Sequence, residues 1–351
     1  MTLAMIKTLS MVALIGCFLS MDIIDKAYIT LDEARTYPGF SMQSEYSGSL
    51  SLRNGKKASD MSLQVAIYGN NRFRAVLYYG GLPGDGPDPV SENDIIELEG
   101  SYEDHTLRVD GDFPLHFQFN HNLITALDKQ NNYMGHFKRV HRKSPTLGMA
   151  PPENAIVLFD GTHLDYWDEN TEMTEDGLLK EGAKTKDHYK DMRLHVEAKL
   201  AFIPYTRRGL TNSGIYIQNR YEVQILDSYT LTPTISGNAS LYNEIAPRVN
   251  ASYPPLTWQT YDVFFRAPRF DEDGNKVENA RFTVYLNGVL EHYNVELEGG
   301  TGAGGRRSEV PAAELYLQDH RDPVRFRNIW LVEGVSTPPP VKILQPGSED
   351  L

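Results

Sequence analysis

Apolar and hydrogen-bonding residues alternate along this chain in short runs, and a period of two predicts strands rather than helices. In Tyr221-Glu-Val-Gln-Ile-Leu226, Glu222 and Gln224 share one side while Val223 and Ile225 share the other. Leu315-Tyr-Leu-Gln-Asp-His320 follows the same rule, with Tyr316, Gln318 and His320 opposite Leu315 and Leu317. Asn212-Ser-Gly-Ile-Tyr216 precedes the first of these and reads as a third such strand. Each has one side suited to a core and one side of amide, carboxylate, phenol and imidazole groups. The second kind of surface suits polyhydroxylated ligands.

Other runs extend the pattern. Leu63-Gln-Val-Ala-Ile-Tyr68 and Phe73-Arg-Ala-Val-Leu-Tyr-Tyr79 flank a hairpin turn at Gly69-Asn-Asn-Arg72. Thr106-Leu-Arg-Val109 and Leu115-His-Phe-Gln-Phe119 follow, and residues 194–201, 214–219, 260–266, 281–286 and 325–332 supply more. Only 28–37 reads as a short, weakly helical entry. Without long segments of period 3.6 or strands alternating with helices, a doubly wound α/β sheet is excluded. The expectation is an all-β chain in five parts. Residues 1–20 form a leader, 21–143 a small antiparallel β domain, and 144–152 a Pro-bearing connector. Residues 153–335 form a jelly-roll β-sandwich, and 336–351 a tail with little core-forming content.

Composition narrows the class. The chain has 351 residues, 40% of them hydrophobic, which is ample for packed cores. A formal net charge of −13 argues against nucleic acid and against a polybasic membrane surface. The single cysteine, Cys17, rules out a disulfide framework or a thiolate metal cluster. It follows Lys7 and a short apolar run, and Leu14-Ile-Gly-Cys17 has the form of a bacterial lipobox. Export to the cell envelope or periplasm is expected, with membrane contact only through a lipid anchor on Cys17. Ordinary cleavage beyond Cys17, giving a secreted protein, is the alternative.

The second half resembles the 3-keto-disaccharide hydrolase domain family. The resemblance rests on Leu158-Phe-Asp-Gly161 with Trp167, on Asn212-Ser-Gly-Ile-Tyr216 and on Tyr221-Glu-Val-Gln-Ile-Leu-Asp-Ser228. It continues through Trp258-Gln-Thr-Tyr-Asp262, Arg266-Ala-Pro-Arg-Phe-Asp271, Leu286-Asn-Gly-Val289 and Leu317-Gln-Asp-His320, ending at Trp330. It implies a concanavalin-like jelly roll, exported, acting on glycans or oxidised disaccharides. The chain departs from the family pattern at Thr234-Ile-Ser-Gly-Asn-Ala-Ser-Leu-Tyr-Asn243, where relatives carry a Cys-Gly turn. If that loop borders the site, substrate preference differs. The N-terminal part is similar to an accessory domain of some relatives and suggests no activity.

Glu222, His320 and Asp227 are the catalytic candidates, and Gln224, Asn212, Ser213, Tyr216, Gln318, Arg266 and Trp258 are candidates for substrate binding. Asp227 lies an odd number of residues from Glu222, so only a β-bulge would turn both to one side. Glu-x-Gln-x-x-Asp is then similar to the Glu-x-Asp-x-x-Glu of laminarinase-type glycosidases, with an amide in the middle. A 3-keto sugar needs less: one base, His320 or Glu222, removes the acidified C2 proton, while Arg266 or Gln224 stabilises the oxyanion. For each candidate a structural role is the competing reading, and for the domain a non-catalytic, lectin-like carbohydrate-binding module. Asp271-Glu-Asp-Gly-Asn275 is a hairpin turn, since Phe282 stands where an EF-hand needs Glu. No histidine–carboxylate grouping has zinc spacing, so no cofactor is expected and a metal ion is left open. The expected partner is a carbohydrate substrate.

Export generates the first test. Mass spectrometry of protein made in a bacterial host should find acylated Cys17 as the mature N-terminus, and an intact Met1 would overturn the anchor.

Overall fold

A computed structural model describes residues 26–51, 57–84, 95–204, 210–302 and 307–338. Cys17, with the rest of residues 1–25, lies outside the described residues, as do residues 339–351. A four-residue helix, Leu31–Ala34, opens the described chain. Thr30 and Glu33 form a capping box there, each side chain bonding the other's backbone amide.

Eight strands then form a closed antiparallel barrel: β1 (Ser44–Ser51), β2 (Lys57–Tyr68), β3 (Arg72–Tyr79), β4 (Ile95–Glu103), β5 (Thr106–Val109), β6 (Leu115–Asn120), β7 (Leu123–Asp128) and β8 (Tyr133–Val140). Consecutive strands pair, and β8 returns to β1 with Glu45 opposite Val140. The β2–β3 turn places Asn70 and Asn71 at φ 60° and 54°, a region asparagine tolerates. The barrel interior is filled by alternate residues such as Leu63, Val65, Phe73, Phe117 and Phe137.

The second half is a β-sandwich. One sheet runs β10 (Leu179–Lys180), β20 (Val324–Glu333), β11 (Met192–Leu200), β14 (Gln259–Arg266), β17 (Ala280–Leu286), β18 (Val289–Leu297), with β9 (Ile156–Phe159) also on β20. The other has β13 (Tyr221–Leu226), β12 (Asn212–Ile217) and β19 (Tyr316–Leu317), and a small hairpin joins β15 (Arg269–Phe270) to β16 (Lys276–Glu278). Between the two main sheets lie Leu194, Val196, Val263, Phe265, Phe282 and Leu331 from one side. Ile215, Ile217, Tyr221, Val223, Ile225 and Leu317 meet them from the other. The β15–β16 turn uses the Asp271 carboxylate internally, accepting the amides of Asp273 and Asn275 at 3.0 and 2.8 Å.

Residues 144–149 do not hang free between the two halves. They cross the outer face of the large sheet, where Thr146 donates to Asp262 at 2.8 Å and Asn328 donates to the Met149 carbonyl at 3.1 Å. Beneath them His195 bonds Asp262 at 2.9 Å and stacks on Trp330, with ring centroids 5.1 Å apart. Burial would push the Glu197 carboxyl up, yet bonds from His195, Asn328, the Gly148 amide and Arg327 together hold it down at about 2. Proline and polarity mark this stretch as a connector, and its polar groups also serve a buried network.

Where the halves meet, the barrel side holds a buried ion pair. Arg142 engages both oxygens of Glu45, at 2.5 and 2.9 Å, and Glu45 is only 3% exposed. Gln64 also donates to Glu45, and the Arg142 guanidinium lies 5.1 Å from the Tyr253 ring of the sandwich. Tyr229 of the sandwich donates to the Ser44 carbonyl of the barrel at 2.8 Å. Gly84 approaches β18 so closely that a β-carbon there would fall 2.1 Å from Val289 Cγ2. Glu45→Ala strands a buried guanidinium, and we expect about 3–5 kcal/mol of destabilisation in urea unfolding. A change below about 1 kcal/mol would show that the pair is not a structural tie.

Candidate active site

The outward face of the three-stranded sheet carries the candidate site, because burying its other face fixes every alternate residue. Tyr216 pairs with Glu222 across β12 and β13, and with Tyr316 across β12 and β19. Gly214 pairs with Gln224, and its carbonyl accepts the Gln318 amide at 2.9 Å. Tyr216, Glu222, Gln224, Tyr316 and Gln318 therefore share one surface. Glu222 and Gln224 are each 2% exposed.

Side-chain bonds run across this surface. Gln318 Nε2 donates to Tyr216 Oη at 3.2 Å, and the Tyr216 hydroxyl donates to Glu222 Oε2 at 2.8 Å. Gly214 makes room for the carboxylate: a β-carbon there would fall 2.4 Å from Glu222 Oε1. Burial raises the Glu222 carboxyl to about 7, and the Tyr216 bond is the opposing influence. Burial first, then Glu222, keeps the Tyr216 phenol protonated far above its ordinary value. The side-chain oxygens of Asn212, Gln224 and Gln318 are buried without partners. Gln224 Nε2 reaches only the Ser236 carbonyl at 3.5 Å, a marginal bond. The arrangement is a proton acceptor poised near neutrality among unsatisfied amide groups.

Residues 236–242 wall the site. The Gln224 amide donates to the Ser240 carbonyl at 3.0 Å, and the Tyr242 amide donates to the Glu222 carbonyl at 3.1 Å. Thr301 Oγ1 accepts the Glu222 amide at 2.9 Å. Half-buried Tyr242 and Tyr316 lie close enough to act electrostatically on Tyr216. Tyr242, Thr301 and Gly214 gave no signal of this role, since each acts through a contact distant in sequence or through a missing side chain.

Several candidates stand elsewhere. β13 keeps an unbroken register with β12, so no bulge turns Asp227 toward Glu222. Asp227 instead neighbours Tyr68 of the barrel, where burial lifts its carboxyl to about 7. Ser213 is buried on the core side, its hydroxyl donating to the Gln318 carbonyl at 2.8 Å. Arg266 belongs to the other sheet and pairs with Glu278. Trp258 packs under Arg327 and Lys199, with the cations 4.1 and 5.1 Å from its ring. Asn212 caps the end of the polar face, its amide donating to Asp322 at 3.0 Å. β19 stops at Leu317, so alternation does not carry His320 onto the face. Its side chain is 49% exposed on the following turn, 3.9 Å from Asp322.

Residues 154–332 match the family model of the 3-keto-alpha-glucoside-1,2-lyase-like domain. The chain belongs to this family. Three crystal structures of proteins from Parabacteroides distasonis, each described as a candidate glycosyl hydrolase, are similar to it. One is 31% identical over 52% of this chain and 84% of that one, with a TM-score of 0.45. A second is 17% identical over 52% and 94%, TM-score 0.37. The third is 18% identical over 50% and 98%, TM-score 0.36. Among curated proteins, none matches. Within the lyase-like domain, residues 234–243 contain the wall beside Glu222.

Tyr216→Phe tests the electrostatics without any substrate. The lost bond stabilised the carboxylate, so the Glu222 midpoint, read by carboxyl NMR titration, should move upward from about 7 by roughly one pH unit or more. A downward move would contradict the geometry.

Proposed function

We propose that this chain cleaves glycosidic bonds in 3-keto-glycosides, with Glu222 as the base. One observation carries the reading: a carboxyl raised to about 7 on the tyrosine- and amide-lined face of a lyase-like domain. A base works best when its pKa lies near the operating pH. The ketone at C3 acidifies the hydrogen on C2, and the Glu222 carboxylate takes that proton. The C2–H electrons pass into an enolate, and their return forms C1=C2 and breaks the C1–O bond. The leaving oxygen takes up a proton from solvent, and water added across C1=C2 completes a net hydrolysis.

The surroundings of Glu222 support each step. Once Glu222 is protonated, the Tyr216 hydroxyl loses its charged acceptor and can donate to the enolate oxygen. The weakly held Gln224 amide is a second donor. Ordinary glycosidases need two carboxyl groups about 5–10 Å apart across the bond. Glu222 has no carboxylate partner on its face among the described residues, which favours elimination over oxocarbenium chemistry. Three unpartnered amide oxygens also suit sugar hydroxyls, which supports the second reading, a carbohydrate-binding module.

Purified protein incubated with a 3-keto-disaccharide and its unoxidised parent separates the possibilities. We expect cleavage of the ketone alone, deuterium at C2 in heavy water, and a rate rising with pH through about 7. Glu222→Gln should lower turnover by about 10²-fold or more. Equal cleavage of both sugars sinks elimination, and binding without turnover of either leaves the carbohydrate-binding module.

A further inference from the structure

A cleft of about 890 Å³ separates the barrel from the sandwich, and Glu222 is not among its lining residues. Its volume is at the upper end for small-molecule sites, enough for several sugar rings rather than a lone ion. The chain as a whole has 47 acidic and 34 basic residues. The cleft reverses that balance. Arg35, Arg139, Arg142 and Lys143 line it, with His105, His121 and His141, against one carboxylate among the described residues, Glu45. Glu45 is consumed by Arg142.

Two cations there have no carboxylate partner among the described residues. Arg139 donates to the Ser41 carbonyl and to the Tyr46 hydroxyl, both neutral, and its Nε is buried without any acceptor. Lys143 is exposed and stands next to the Arg142 that is already committed. An uncompensated guanidinium held against the Tyr46 and Phe119 rings, 5.4 and 5.5 Å away, is rigid and partly desolvated. Such a group gains most from a planar or trigonal anion. Partly exposed Pro254 adds apolar surface on which a pyranose ring can pack.

We infer that this cleft binds an anionic glycan segment, a saccharide bearing carboxylate or sulfate groups, with Arg139 and Lys143 as the anion contacts. The site is separate from Glu222 and recruits or orients acidic polysaccharide whatever the sandwich does to it.

Calorimetry with the full chain tests this, using a hexameric oligogalacturonate, its fully methyl-esterified form and a sulfated hexasaccharide. The free acid should bind at least tenfold more tightly than the neutral ester, and binding should weaken as salt is raised. Tighter binding of the sulfated sugar than of the uronate would identify sulfate as the group recognised. Lys143→Glu, a change at an exposed side chain, should weaken acid binding about tenfold while leaving turnover of any substrate at Glu222 unaltered. Arg139→Gln should do the same, and circular dichroism checks that its loss has not unfolded the barrel. Equal affinity for acid and ester, binding of neither acidic sugar, or equal binding of inorganic polyphosphate would each overturn the proposal. None of these outcomes depends on catalysis, so failure here is distinct from failure at Glu222.

Discussion

Burial of apolar side chains between the two sandwich sheets is the constraint from which the rest follows. Val223, Ile225, Ile215, Ile217 and Tyr221 are wholly buried against Val263, Phe265 and Phe282. Because successive strand residues point to opposite sides, filling that core leaves no freedom about what points outward. A register slip of one residue would bury Glu222 in the core and expose Val223. The unbroken β12–β13 pairing and the size of that penalty hold Tyr216 beside Glu222 more firmly than their single hydrogen bond does.

The site is costly to maintain. A carboxyl moved from 4.5 to about 7 on folding imposes no penalty below about pH 4.5 and about 3 kcal/mol once pH has climbed past 7. Asp227, raised from 3.8 to about 7 beside the barrel, adds a second penalty of the same sign. These are large fractions of a typical folding free energy. They are tolerated because the surrounding elements are independently fixed, by the sheet register and by the strap of residues 144–149 on the outer face.

Much of this was legible from periodicity. Tyr221–Leu226 and Thr106–Val109 begin and end where alternation begins and ends, and the shared face of Glu222 and Gln224 follows from parity alone. Closure of the barrel was not legible. It depends on β1 meeting β8, a pairing between segments far apart in sequence that local pattern does not encode. The same blindness explains Tyr242 and Thr301, which reach the site from distant loops. His320 misled for another reason: parity was extended past the last paired residue, where the chain turns and the rule lapses. Parity already turned Asp227 away from Glu222, and the bulge that would have brought it round is absent from the β12–β13 register. Arg266 and Trp258 were read as free polar or stacking groups, yet Glu278, Arg327 and Lys199 already occupy them.

Closure of β1 onto β8 also governs self-association. A sheet that returns to its first strand presents no lateral row of unpaired amides and carbonyls, so the described strands of the barrel offer no template for cross-β growth. The sandwich is less protected. Residues 236–245 cover the outer side of β13, but β18 ends its sheet with Tyr293 largely in solvent. Exposed Glu296 stands on that strand, the kind of charge that discourages a second copy from adding alongside, and Arg248 covers the Leu290 carbonyl at 2.9 Å. Partial unfolding at β18 would therefore expose a margin of that sheet guarded by a single exposed glutamate, so neutralising Glu296 weakens the guard.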